Sequence, residues 1–516
     1  MSRPQHRRGG KPKNEKPKKK VKEPETFDEF LAEGITFEEQ GERYKEGDRA
    51  QRNYERAAGM YAKAHALNDQ DADCLYNWGR ILYILVGFYP AHTEPEEKLK
   101  TLDEAIEKFR RALTLAASKT DAQFNLAQAL HLRSEILQET TEIDNSYMQS
   151  AMALQEAITL FEAVYDLQEK EFNDQTTAPS QEEEHDHDHD DHHHHNNNND
   201  KGDDKKDATQ QDANNNNNNE YTTVTEIEPT TAYSLIDTLL SMADTMTTMA
   251  SMLASYQSSV DLFSKSRTKL GLAEKWLAGT SEDDKEHKQA RIQINLKEAQ
   301  NFSQQAERSF LASKTVDHDL FQQAIGRLDA IIEQLDTRHV EAWCDRGDVL
   351  GTYAELIAKQ EQKEERTISQ EVWHHYAQAD KSLKAALQIE NKNLNILNKL
   401  GDLSIARARL DLPVAKRNKA QLLKNAEFYF KQAVDTDRQV LTSGYIGWAY
   451  SAWALETWAQ VPDKKRAAGK IIELWLSRGG SAEMFGDITE EVDTLDSEFI
   501  EWVNESFFEE ESSDEE

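Results

Sequence analysis

Ala324-Ile-Gly-Arg-Leu328-Asp-Ala-Ile331, a polar turn through Asp336, and then Trp343-Cys-Asp-Arg-Gly347-Asp-Val-Leu350 decide the architecture of this 516-residue chain. Ala324, Leu328 and Ile331 stand four and three residues apart, as do Trp343, Gly347 and Leu350, so each triplet lies on one helical face. The stretch reads as two helices joined by a tight turn, with small residues where helices cross closely. The pattern returns as Ala57/Tyr61/Ala64 with Leu75/Trp78/Gly79/Leu82, and as Ala105/Phe109/Ala112 with Leu126/Ala127/Leu130. Downstream it recurs as Ala379/Leu383/Ala386 with Leu397/Leu400/Gly401, and as Ala426/Phe430/Ala433 with Tyr445/Trp448/Ala449/Ala452. From the last residue of each first triplet to the small residue of the next helix the separations are 15, 15, 16, 15 and 16, which implies one repeated unit.

This arrangement resembles the tetratricopeptide repeat (TPR), whose second helix carries small-x3-aromatic-x2-small and whose next first helix sets an aromatic or Leu ahead of a small residue. Phe37, Gly41 and Tyr44 fit an opening first helix. The turn proline of the family is replaced by Asp69, Asp336 or Asn391, whose short polar side chains cap or turn the backbone. Gly41 to Ala57 is 16 residues and Gly347 to Ala379 is 32, against about 12 in the 34-residue repeat. The run from Ala354 to Glu365 is rich in helix formers and predicts long helices there. Pro90 and Pro95 predict a loop between Gly79 and Ala105. The expected fold is all-α, a TPR-like superhelical array of long antiparallel helix pairs with disordered tails and a low-complexity insertion.

Five segments follow from composition. Residues 1–26 form a basic tail, 27–172 the N-terminal TPR-like helices and 173–221 a His/Asp/Asn-rich linker. The C-terminal TPR-like helices occupy 222–480, and 481–516 form an acidic C-terminal helix and tail. The linker contains His185-Asp-His-Asp-His-Asp-Asp-His-His-His-His195 and two Asn tracts; it is read as a repeat-expanded loop, with no metal site assigned. The Met-rich stripe Leu235/Leu239/Met242/Met246/Met249/Leu253 is read as core, and Ser234 to Leu262 is too polar to span a bilayer. Cys74 and Cys344 are read as reduced packing residues, and the N-terminal stretch lacks the apolar core of a signal peptide.

The net charge is −34 and the pI about 4.9, which disfavours direct nucleic-acid binding and favours a basic protein partner. Residues 1–22 hold ten Lys/Arg and one acid, whereas Glu483–Glu516 hold fifteen acids and no base. Lys16, Lys18, Lys19, Lys20 and Lys22 have the form of a nuclear-localisation signal, which brings in an import receptor as a second partner and predicts a nuclear and cytoplasmic protein. No phosphate loop, dinucleotide fingerprint, metalloprotease or paired Cys-x2-Cys motif occurs. The chain is therefore read as a non-enzyme without cofactor or small-molecule substrate, and the adjacent Trp373, His374 and His375 as helix surface.

The TPR resemblance also implies a concave groove lined by the first helices of the pairs. Registered on the small residue, the groove positions are Glu38, Glu42, Asp73, Asp121, Glu341, Asp348 and Asp402, with Arg80 as the opposing cation. The heat-shock-binding members use a clamp beginning Lys-x3-Asn; here acids occupy those places, and only Asn77 matches. The expected function is a protein-binding adaptor or dedicated chaperone for a basic client such as a ribosomal protein. A second reading is a nuclear regulator resembling the fungal enhancers of translation termination, and a third is a scaffold subunit of a larger assembly.

Overall fold

A computed structural model of the chain describes residues 23–90, 93–140, 143–177, 229–436, 443–491 and 495–508. Among these residues there are eighteen α-helices and no strand. The N-terminal pairs are α1 (Phe27–Tyr44) with α2 (Asp48–Leu67), α3 (Ala72–Val86) with α4 (Pro95–Leu115), and α5 (Thr120–Gln138) with α6 (Ser146–Thr177). The middle of the array is α7 (Ala232–Met252), α8 (Tyr256–Leu277), α9 (Lys285–Ser313) and α10 (His318–Ala330), the last extended by a wide π-type turn at Ile331–Leu335. Two more hairpins follow, α11 (Val340–Lys363) with α12 (Gln370–Ile389), and α13 (Leu394–Arg409) with α14 (Pro413–Thr436). The end is built from α15 (Ser443–Ala459), α16 (Lys464–Leu476), α17 (Ala482–Glu491) and α18 (Ser497–Phe507).

The all-α TPR-like array expected from the repeated triplets is what the chain forms. Short polar residues start many of its helices. Thr26 accepts from the Glu29 amide while the Glu29 carboxylate takes the Thr26 amide, a capping box. Asp71, Asp317, His339 and Asn393 each accept an amide in the first turn of the helix they open. Pro95 opens α4, where a missing amide does no harm. The helices around Gly347 and Ala379 are long, at 24 and 20 residues.

The glycines of the first helices let bulky partners come close. A methyl on Gly401 would lie 2.5 Å from the Phe430 ring, one on Gly41 2.7 Å from Tyr54, and one on Gly347 2.7 Å from Leu383. Each large residue belongs to the second helix of the pair, so a small-large register repeats through the stack. Packing is continuous through the middle of the chain: one apolar cluster runs from Leu82 on α3 through Phe161 on α6 to Leu235, Met242 and Met246 on α7. The methionine stripe is core, as expected.

Two expectations change. Trp343 is only half-buried, with its indole Nε1 donating to the Thr337 carbonyl at 3.0 Å. Trp343→Ala is expected to lower stability by about 1–3 kcal/mol in urea unfolding, below the 3–5 kcal/mol of a fully buried aromatic. His375 is buried, not on the surface; its ring lies 4.5 Å from that of Tyr353, because α12 turns this face toward α11. His374 remains exposed.

The far end is closed by aromatic packing. Phe499 on α18 lies 5.1 Å from Tyr450 and 5.7 Å from Trp453. Arg409 on α13 reaches Asp496, just before α18, at 2.6 Å. Gly479, at φ +107°, ends α16, and the Gly480 amide returns to the Trp475 carbonyl at 3.2 Å.

Candidate functional site

The acids expected on the concave wall fall into two groups. In the N-terminal half they are held by internal cations. Glu38 on α1 is 5% exposed, accepts from the Tyr61 hydroxyl at 2.6 Å and pairs with Arg80 of α3. Arg80 also reaches Glu42 at 3.7 Å and feels the charge of Asp121, which is exposed. Asp73 takes Lys119 at 2.6 Å. These contacts knit α1, α2, α3 and α5 together, so Arg80 gathers the acids and Lys119 adds a second cation. Asn77 sits half-buried on α3 beside this cluster.

In the C-terminal half the acids stand largely alone. Glu341, Asp345 and Asp348 follow one another at four- and three-residue spacing and face a cavity of about 420 Å³. That cavity is closed on the far side by Lys297, Gln304 and Glu307 of α9. A second cavity of about 360 Å³ shares Asp348 and Thr352 and adds Glu355, Lys399 and Asp402. Together they make one groove between α9, α11 and α13. Lys399 pairs with Asp348, and Lys297 with Asp244 at 2.6 Å. Asp345, Asp402, Glu307 and Glu341 have no direct ionic or hydrogen-bond partner among the described residues.

The electrostatics reflect that shortage of cations. Burial pushes the Asp345 carboxyl up to about 7, aided by Glu341 and Asp348 and opposed by Lys399 and Lys297. Asp402 also rises to about 7, by burial alone; its side chain shows a part-exposed edge to the groove, and protein encloses it elsewhere. Glu307 is raised by burial and by Glu355, and Asp348 by burial against the pull of Lys399. Removing a carboxylate from water disfavours its charge unless a cation approaches. The groove therefore holds more carboxylates than cations.

Several of its residues, Glu355 among them, were missed in the sequence. Asp345 carried a usable signal, since it lies on the same helical stripe as Glu341 and Asp348. Glu307, Lys297 and Lys399 carried none, because α9 lies outside the recognisable repeats and Lys399 falls between their marker positions. His375, buried with its Nε2 3.4 Å from Glu371, and His318, exposed with its Nδ1 2.7 Å from the Tyr353 hydroxyl, both lie against the Tyr353 ring. Cys74 is buried and Cys344 half-buried, both free. Among the described residues no group of His, Cys, Asp and Glu is arranged to hold a metal, and the His/Asp tract lies outside them.

Residues 50–224 match the model of a family described as the plant-specific mitochondrial import receptor subunit TOM20. The match covers about a third of the chain and includes α2 to α6. It supports a TPR-like, protein-binding adaptor or receptor role. It also overturns the nuclear and cytoplasmic placement expected from the N-terminal lysines, because the named family is one of mitochondrial import receptor subunits. Lys16, Lys18, Lys19, Lys20 and Lys22 themselves lie outside the described residues. No helix among the described residues is long and apolar enough to cross a membrane.

No curated protein matches the chain. Many solved structures align with the chain. The nuclear import adaptor Nro1 of S. pombe has 11% identity and a TM-score of 0.33, covering 82% of this chain and 99% of its own. A circular tandem repeat protein with a novel repeat topology has 13% identity and a TM-score of 0.26, covering 90% and 100%. Yeast Tom70 has 12% identity and a TM-score of 0.15, covering 92% and 97%. These scores are too low for any property of those proteins to transfer.

Proposed function

We propose that the chain is a non-enzymatic adaptor or dedicated chaperone that holds a basic segment of a client protein, such as a ribosomal protein, in the groove between α9, α11 and α13. The observation behind this reading is the set of groove carboxylates, half-buried Asp345 and Asp402 with the exposed Glu341 and Glu307 at its rim, that lacks direct partners. A lysine or arginine side chain entering there restores a partner to each acid and relieves the penalty of burying it. Asp348 completes the wall. Glu38, Glu42 and Asp73, tied to Arg80 and Lys119, position the N-terminal helices, and Asp121 extends the acidic surface.

A lysine-rich decapeptide titrated into the full chain is the direct test. Asp345→Asn combined with Asp402→Asn and Glu341→Gln is expected to weaken it at least tenfold at pH 8, with circular dichroism unchanged. Equal affinity in the two proteins would remove the groove from the function. A receptor-type role at the mitochondrion is the second reading, favoured by the match over residues 50–224. Its check is fractionation: protease-accessible protein on intact mitochondria supports it, and absence from that fraction removes it.

A further inference from the structure

Phe428 is 59% exposed, and among the described residues no other phenylalanine and no tryptophan is classed as exposed. It lies on the outer side of α14, opposite the core residues Leu422, Leu423, Ala426, Phe430 and Val434. Its ring meets only the edge of the adjacent Tyr429 ring, at 5.3 Å between centres. Leaving a phenyl group in water forfeits the free energy of burying it, and packing within this chain does not call for the ring there.

Lys424 and Arg417 stand four and eleven residues before Phe428, on the same helical face. Both are exposed, and neither has an ion-pair partner among the described residues. The acids of this region are already taken: Asp411 by Lys416, Glu427 by Lys464 at 2.8 Å, and Asp435 by Lys431. Between Leu412 and Ala426 the sequence carries four cations and no acid, in a chain of net charge −34. The outer stripe of α14 is therefore two free cations and an uncovered aromatic ring, spread over about 16–17 Å of helix axis.

We propose that this stripe is a docking surface for an acidic, amphipathic helix of a partner protein. The occupant follows from complementarity of charge and spacing. A helix lying antiparallel along α14 sets an apolar residue on Phe428 when it places acids four and eleven residues further on, against Lys424 and Arg417. The ring supplies the apolar anchor, and the two cations fix direction and register. A nucleic acid fits less well, because two free cations release few counterions and the rest of the chain repels a polyanion. The surface is separate from the acidic groove and takes a partner of the opposite charge.

Fluorescence anisotropy of the full chain with a labelled helical peptide reads the contact. The peptide is built on alanine and glutamine and carries one leucine with glutamates four and eleven residues further on; a scrambled peptide of the same composition is its control. The chain is expected to bind the ordered peptide at least fivefold more tightly than the scrambled one. Phe428→Ala should weaken that binding at least fivefold, and Arg417→Glu with Lys424→Glu should abolish it, all with unchanged circular dichroism, since these side chains are exposed. Asp345→Asn with Asp402→Asn should leave it within twofold; a larger loss there would place the peptide in the acidic groove and overturn the proposal. Equal affinity for the two peptides, or for the native and Phe428→Ala chains, would overturn it too. So would a single-stranded oligothymidylate that binds more tightly than the ordered peptide.

Discussion

Phe430→Ala is expected to lower the unfolding free energy by about 3–5 kcal/mol, the usual range for deleting a buried aromatic. Phe430 is 2% exposed, and its ring fills the space over two glycines: methyls on Gly401 and Gly447 would come within 2.5 and 2.6 Å of it. It therefore wedges α14 between α13 and α15, and the neighbouring backbones are too close to other side chains to collapse fully into the void. Phe428, two positions earlier and 59% exposed, supplies the control; its alanine variant should shift stability by no more than about 0.5 kcal/mol. Urea unfolding of both variants decides the matter. Equal midpoints would show that the ring of Phe430 is not the wedge on which the small-large register depends.

That register is also why the fold was legible. Gly41 with Tyr54, Gly79 with Phe109, Gly347 with Leu383 and Gly401 with Phe430 are expressions of one helix crossing; the spacing inside each pair varies, and the constant signal is the 15 or 16 residues from one pair's second helix to the small residue of the next first helix. The region from α7 to α9 follows another rule. There Asn301 donates to Thr247 at 2.8 Å, Arg267 donates to Asn301 and Gln305, and Thr247 shares a hydrogen bond with Ser266 at 2.9 Å. Apolar periodicity finds the stripe of α7 but cannot register the neighbouring contacts made by amides, hydroxyls and a guanidinium.

The site was legible in sign more than in detail. The first-helix register picked out a stripe of acids, but charge alone does not reveal whether a carboxylate has a partner. Glu38 and Glu341 look alike in sequence; one is held by Arg80 and Tyr61 from two other helices, the other stands at a cavity. The difference arises from long-range packing. It also decides which residues to change, because reversing Glu38 would strand Arg80 and disturb folding, whereas altering Asp345 or Asp402 acts on the groove.

A lysine-rich peptide is expected to bind on the order of ten- to a hundredfold more tightly at pH 8 than at pH 6. With carboxyls titrating near 7 at Asp345 and Asp402, about a tenth of each is ionised at pH 6 and about nine-tenths at pH 8. Stability runs the other way. A carboxyl whose folded pKa lies above its unfolded value stabilises the fold fully below the unfolded pKa, and that contribution is lost as pH rises through the folded value. The ordinary value is 3.8 and the folded one about 7, so the loss falls between roughly pH 4 and pH 8. At about 1.4 kcal/mol per unit, each group costs on the order of 4 kcal/mol when ionised without a cation. Asp345→Asn with Asp402→Asn should therefore be more stable than the native chain at pH 8, converge with it near pH 4, and bind the peptide with little pH dependence. Unfolding curves and titrations at pH 6, 7 and 8 measure both effects. Parallel stability curves for the two proteins across that range would show that these carboxylates are already paired, and the groove would then lose its reason to recruit a basic client.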